Sequence, residues 1–358
     1  MMTCDLIIIG GGSAGMAAAL GALSEGIKNI LLVERDKGLG GILNQCLHRG
    51  FGLSYFREEL TGPEYAARFL RKINESGIEV LTDTSVISLS ADKTAVLSGN
   101  TLGLKEVQAK AVILASGCRE RPIGTLKVYG TRPSGIYTAG AAQRMVNLYG
   151  YDIGSSLVIL GSGDVGLIMA RQLTLLGKKV LAVIEKEDRC GGLERNRINC
   201  LEVYGIPLRT RTTVTQIHGT ARIEGVTVLG LDTGIEEYIK CDGLITSVGL
   251  IPERELAEEA GYTESLPDWL FLCGNACYVH DTVDEVTVES ELIGKAAARY
   301  ILEGKAEAAF TPLPGNKSIR AAGGLICTAC PKGCRLTKTD TGYIGALCGR
   351  KDPVIHEI

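Results

Sequence analysis

Leu6-Ile7-Ile8-Ile9-Gly10-Gly11-Gly12-Ser13-Ala14-Gly15 runs from an apolar stretch through a glycine turn into a small-residue segment. A second apolar stretch, Ile30-Leu31-Leu32-Val33, follows and ends on Glu34. Strand, glycine turn, helix, strand and acid, in that order, make a βαβ unit shaped to receive a dinucleotide. Each part has a mechanical reason. Gly10 allows the tight turn out of the strand, Gly12 lets backbone approach a pyrophosphate, and Gly15 lets helix and strand pack closely. Ser13 and Ala14 stand at the electropositive helix start, and Glu34 can accept from ribose hydroxyls.

The same pattern recurs. Leu157-Val158-Ile159-Leu160 leads into Gly161-Ser162-Gly163-Asp164-Val165-Gly166, then a helix, then Val180-Leu181-Ala182-Val183-Ile184 ending on Glu185. Either βαβ unit could use its glycines for packing alone, but two full copies at equal spacing favour two nucleotide sites. A carboxylate at Glu185 favours NAD(H), because it repels a 2′-phosphate; Lys186 and Arg189 keep NADP open.

Length and composition agree. At 358 residues the chain suits two or three domains, and 46 glycines without collagen periodicity point to many strand–helix turns. A net charge of −3 supplies no basic footprint for nucleic acid or a membrane surface. The uncharged run Leu6–Leu23 is broken by glycines and preceded by Asp5 without Lys or Arg, so it reads as a buried strand and helix, neither a membrane span nor a secretion signal. The expected location is cytoplasmic, where the 12 cysteines favour metal or redox roles over disulfides.

Further strands are expected at Ala111–Ala115, turning at Ser116-Gly117, and at Leu244–Val248, turning at Gly249. Small and apolar residues at helical spacing from Asp284 to Leu302, with a capping box at Thr282 and Glu285, predict a long helix.

The C-terminus is distinct. Cys327, Cys330, Cys334 and Cys348 give C-x2-C-x3-C-x13-C, an all-thiolate set suited to Zn²⁺ or an iron–sulfur cluster. The tight triplet with Pro331 leans toward [4Fe–4S], since zinc ribbons more often present two C-x-x-C pairs. Ile326–Leu336 and Cys348–Ile358 also resemble a small family of cysteine-rich proteins encoded beside flavoproteins.

Taken in order, these motifs resemble the two-dinucleotide-domain flavoproteins that include glutathione and thioredoxin reductases. The resemblance covers about 300 residues. It implies FAD at Gly10–Gly15 with Glu34, Gly41, Asn44, Gln45, the Ala115-Ser116-Gly117 turn, Gly274, His280 and Asp281. Asn275 stands where the family's ribityl-binding Asp is expected. NAD(H) is implied at Gly161, Gly163, Asp164, Val165, Gly166, Glu185 and Gly249. The implied fold is α/β: an FAD domain (1–128 and 249–304) with an NAD domain inserted (129–248), a linker (305–317) and a cysteine-rich metal module (318–358). In this fold the helix opening at Thr282–Glu285 would direct N–H donors at the flavin's pyrimidine edge.

Gly40–Cys46, Glu59–Tyr65 and Val279-His280-Asp281 resemble a subgroup found beside anaerobic-type glycerol-3-phosphate dehydrogenase subunits. That likeness implies an electron-transferring subunit in a hetero-oligomer with a second flavoprotein dehydrogenase. Disulfide reductases place C-x4-C just after the Gly-Gly or C-x-x-C in the NAD domain; here only Cys46 follows Gly40-Gly41, and Cys190 and Cys200 lie far apart in sequence. Cys46 and His48 are the candidate catalytic residues, a thiolate and a proton carrier; the simpler reading makes both packing residues. The expected function is electron transfer between NAD(H), FAD and a [4Fe–4S] cluster for a partner dehydrogenase. The alternatives are a self-contained NADH-dependent flavin reductase or oxidase and a non-catalytic FAD- or zinc-binding assembly subunit.

Overall fold

The computed structural model describes residues 2–262 and 266–304, and after them only the backbone of short strands between residues 311 and 357. Cys330, Cys334 and Cys348 lie outside the described residues. Of Cys327 only the backbone is described, in the strand Leu325–Cys327, which pairs antiparallel with Ile355–Glu357.

The chain forms two compact units: Met1–Asn44 with Arg49–Cys118 and Pro252–Ile358, and Gln45–His48 with Arg119–Ile251. The longer segment of the second unit begins at Arg119. The reason is packing: Ile123, Leu126 and Val128 join a core of the second unit with Val158 and Val226.

In the first unit the strands Glu79–Leu81, Ile30–Val33, Met2–Ile9 and Gly103–Leu114 lie side by side in that order, parallel, with Leu270–Leu272 beyond. Thr94–Gly99 and Thr84–Leu89 extend the sheet as an antiparallel meander. Because side chains alternate along a strand, Leu6, Ile8, Leu32 and Ile113 face one core while Ile7, Ile9, Leu31 and Leu114 face the other. Burial on both faces explains why these strands read as unbroken apolar runs.

The helices Ser13–Ser24 and Val283–Glu303 cover one face. They touch backbone to backbone at two glycines. A Cβ on Gly21 would lie 2.3 Å from the Glu291 carbonyl oxygen, and one on Gly294 would lie 2.0 Å from that of Ala18. The expected capping box is present, with Thr282 accepting from Glu285 N and Glu285 accepting in return from Thr282 N. Asp284, in the first turn, is buried and accepts from the backbone N–H of Gly52, Ser54 and Tyr55 at 3.1, 2.7 and 3.3 Å.

The second unit repeats the parallel core with the order Ile136–Thr138, Gly243–Thr246, Ser156–Leu160, Lys179–Ile184 and Leu208–Arg209. A four-stranded sheet, Tyr129–Gly130, Thr212–Gly219, Ile223–Gly230 and Glu236–Lys240, completes it. Among the described residues no helix is long and apolar enough to cross a membrane.

Candidate dinucleotide sites

In the first unit the turn Gly10–Gly15 is built as the residue types demand. Gly10 adopts φ +109°, and a Cβ there would lie 2.5 Å from the Ala115 carbonyl oxygen. A Cβ on Gly15 would strike the Gly10 carbonyl oxygen at 1.8 Å. Gly12 differs: a Cβ there meets nothing within 4 Å, and Gly12 caps the helix Ser13–Ser24 with no side-chain hydrogen bond. No side chain caps the first helical amides, the arrangement an anion requires. Gly41 packs behind, its Cβ position 3.1 Å from Gly12 Cα, and Gly40 N donates to Gly11 O at 2.8 Å.

Glu34 closes the other side. Its buried carboxylate accepts from Gly11 N and Asp36 N, both at 2.7 Å. Around it, Ser116 Oγ donates to Glu253 O at 2.6 Å and Gly117 takes φ +76°, bracing the turn after Ala115. Gly274 abuts the cradle, where a Cβ would lie 2.6 Å from Ala14 Cβ. Asn275 follows it, half-buried, and bonds His280. Asp281 is exposed. Asn44 Nδ2 donates to Leu39 O at 3.0 Å and so braces the Gly40 turn.

In the second unit Gly161 has φ +94°, with its Cβ position 2.2 Å from Ser247 O. Gly163 caps the helix Asp164–Leu175, again without a side-chain bond, and Gly166 N donates to Ser247 Oγ at 3.2 Å. Glu185 Oε2 accepts from Ser162 N and Oγ at 3.0 and 2.5 Å, and Oε1 from Glu187 N at 3.0 Å. Asp164 is engaged elsewhere: its Oδ1 accepts from Leu193 N and Asn196 Nδ2 at 2.8 and 2.7 Å, fastening the following loop. Val165 packs against the core, and Gly249 O accepts from Arg121 N at 3.0 Å.

The two cradles share parts that sequence reading passed over. Thr82-Asp83-Thr84 and Thr210-Arg211-Thr212 occupy the same place beside their acids. Asp83 N donates to Asp36 O and Arg211 N to Glu187 O, at 2.9 and 3.0 Å. Asp83 and Arg211 both take φ +50°, and Thr84 and Thr212 each donate a hydroxyl two residues back. Gly192 N donates to Ser162 O as Gly40 N does to Gly11 O, both at 2.8 Å. The T-x-T and Gly-Gly echoes were the available signal.

Gln45 and Cys46 belong to the second unit. Gln45 Nε2 donates to Gly140 O at 2.7 Å and Gln143 Oε1 at 3.1 Å, so its amide is committed to the helix Ala139–Tyr149. Cys46 Sγ donates to Gln143 Oε1 at 3.6 Å, and burial pushes its thiol up to about 12. A protonated thiol is no nucleophile, which fits the packing role. His48 is half-buried in a loop. Cys190 and Cys200 are unbridged; Cys190 Sγ contacts Ser162 O and Cys200 is buried. Among the described residues no group of three or more His, Cys, Asp or Glu is placed to hold a metal.

Two glycine-turn βαβ units on parallel sheets define an α/β Rossmann-like fold. Solved thioredoxin reductases share it: that of T. acidophilum has a TM-score of 0.67 at 20% identity, covering 85% of this chain and 99% of that one. The Lactococcus lactis enzyme gives 0.68 at 19%, covering 84% and 99%.

The pyridine nucleotide-disulphide oxidoreductase family profile matches residues 4–265. The chain belongs to that family. Relatives include the HcnB subunit of the Pseudomonas protegens hydrogen cyanide synthase, 26% identical over 77% of this chain and 62% of that one. An opine oxidase subunit of Agrobacterium tumefaciens is 27% identical over 72% and 54%. The thioredoxin reductase of Mycolicibacterium smegmatis is 26% identical over 70% and 77%. This chain thus spans 62% and 54% of the length of the HcnB and opine oxidase relatives.

Proposed function

We propose that this chain is an electron-transfer subunit in which NAD(H), FAD and a C-terminal [4Fe–4S] centre are linked to a partner dehydrogenase. The carrying observation is the open, uncapped helix start at Gly12, with Glu34 held by Gly11 on its other side. Gly10, Gly12, Ser13, Ala14 and Gly15 would seat the FAD pyrophosphate, Glu34 its ribose, and Ala115–Gly117, Gly274 and Asn275 the remainder. When bound, FAD exchanges a hydride with nicotinamide and can pass the electrons on singly.

Glu185 with Gly161, Gly163 and Gly166 supports NAD(H) as the partner nucleotide. Three nearby cations are paired, Arg209 with Glu237 at 2.5 Å, Arg211 with Asp232 at 2.7 Å, and Lys186 with Glu187 at 3.3 Å, and a 2′-phosphate on them would have to displace those carboxylates and meet Glu185 as well. Arg189 keeps NADP as the alternative.

Cys327, Cys330, Cys334 and Cys348 would hold the cluster, or zinc in the alternative. Two relatives are named as subunits, one of hydrogen cyanide synthase and one of opine oxidase, which supports work within a hetero-oligomer. Among the described residues a flavin-side dithiol has no support: Cys46 is engaged with Gln143, and Cys190 and Cys200 lie far apart in sequence.

Purification without oxygen, followed by flavin, iron and zinc analysis and an NADH titration, tests the proposal. Flavin bleached by NADH, with iron and sulfide and a co-purifying dehydrogenase, is the expected result. Zinc without iron removes the cluster. Bleaching without a partner leaves the self-contained reductase, and flavin untouched by NADH leaves the non-catalytic assembly role.

A further inference from the structure

Asn275 has its orientation settled by two groups whose hydrogen-bonding roles cannot change. The backbone N–H of His280 donates to Asn275 Oδ1 at 3.0 Å, so the amide oxygen faces His280 and the NH₂ faces away. His280 Nδ1 lies 2.9 Å from the Tyr278 carbonyl oxygen and 3.0 Å from Asn275 Oδ1. Both are acceptors, so Nδ1 carries a proton. Its other nitrogen, Nε2, lies 2.7 Å from Glu289 Oε2, which also accepts from Gly274 N at 3.1 Å. With Nδ1 protonated, one further proton sits between Nε2 and Oε2, whichever atom holds it. The pair is therefore neutral overall, and it is buried, with the imidazole stacked on Tyr278 at 4.2 Å.

We infer that the His280–Glu289 pair is a positioning device that turns Asn275 to present N–H donors to the cofactor's polyol chain. The inference rests on the reading of the first unit as the FAD site. Three features support it. Gly274, the residue before Asn275, packs on Ala14 of the phosphate cradle, and Asn275 itself is half-buried. The amide Nδ2 reaches Cys118 Sγ at 3.5 Å, a weak acceptor that leaves its second N–H for a ligand hydroxyl. Oδ1, the only side-chain acceptor Asn275 has, already receives two bonds from His280. A hydroxyl at this position must accept. His280 and Glu289 are positioning residues, since they act through Asn275.

The test is reconstitution of flavin-free protein, read as the FAD dissociation constant from flavin fluorescence, with a thermal melt of each apoprotein to confirm folding. Asn275→Leu removes the donor and should weaken FAD by about tenfold. Replacing the pair together, His280→Phe with Glu289→Leu, avoids stranding a buried charge. This variant should lose a similar factor, and adding Asn275→Leu to it should cost little more, because the effects share one bond. Glu289→Gln can keep only one of the two bonds made at Oε2, the one to His280 or the one from Gly274, and should weaken FAD by a smaller factor than Asn275→Leu. An Asn275→Leu variant that binds FAD as well as the wild type overturns the inference. So does additivity of the pair and Asn275 substitutions. Wild-type protein that takes up no flavin refutes the FAD reading itself, a result distinct from either.

Discussion

Glu185 Oε2 receives both the backbone N–H and the hydroxyl of Ser162, at 3.0 and 2.5 Å. With Glu187 N on the other oxygen at 3.0 Å, three of the roughly four acceptor directions of a carboxylate are used within the chain. Room remains for one further strong donor. Glu185→Ala should weaken NADH by about ten- to a hundredfold, the scale of losing a hydrogen bond to a charged group. NADPH binding should fall less, so the ratio of the two dissociation constants, measured by nucleotide fluorescence titration, should shift toward NADPH. An unchanged ratio would remove Glu185 from coenzyme choice.

Gly12 and Gly15 separate binding from folding. Gly15→Ala places a Cβ 1.8 Å from the Gly10 carbonyl oxygen and should give little folded protein. Gly12→Ala places its Cβ in open space at an ordinary φ of −74°, so apoprotein stability should change by less than about 1 kcal/mol. Flavin content on purification should nevertheless fall severely. Retained flavin in Gly12→Ala would show that the backbone there does not approach a ligand.

Asp284 fastens a loop. Its buried carboxylate takes three backbone N–H groups, from Gly52, Ser54 and Tyr55. Asp284→Ala strands those donors and should cost about 2–4 kcal/mol in urea unfolding. Asp284→Asn keeps one acceptor and should cost less. A loss below about 0.5 kcal/mol for Asp284→Ala would mean that the loop is held otherwise.

Cys46 offers a pH test. Its folded thiol is raised from 9.0 to about 12 by burial. A raised pKa means that the folded state holds its proton longer than the unfolded state. Its contribution to stability is thus complete below pH 9 and is lost as pH climbs through about 12. Cys46→Ala should remove that part of the alkaline decline and leave flavin reduction by NADH within about twofold of the wild type. A hundredfold slower reduction would restore Cys46 as a catalytic group.

Local pattern carried much of this fold. The apolar runs at Leu6 and Leu157, the glycine spacing and the two acids announced both cradles, because those features depend only on short-range backbone sterics. The Thr282–Glu285 capping box was equally legible, being formed by residues three apart. Gln45 was not. Grouped with the flavin site by its neighbours in sequence, it spends its amide on Gly140 and Gln143, nearly a hundred positions away. The bonds by which Asp164 Oδ1 ties down Leu193 and Asn196 were likewise not legible, since both partners lie about thirty positions on.

The sequence alone determined where phosphates could sit, since a glycine turn before a helix needs no distant partner to create unsatisfied N–H donors. Tertiary structure decided which polar groups remain available there. After its bonds within the chain Glu185 keeps about one acceptor direction and Asn275 one N–H donor, because a hydrogen bond spent inside the chain cannot also be made to a ligand.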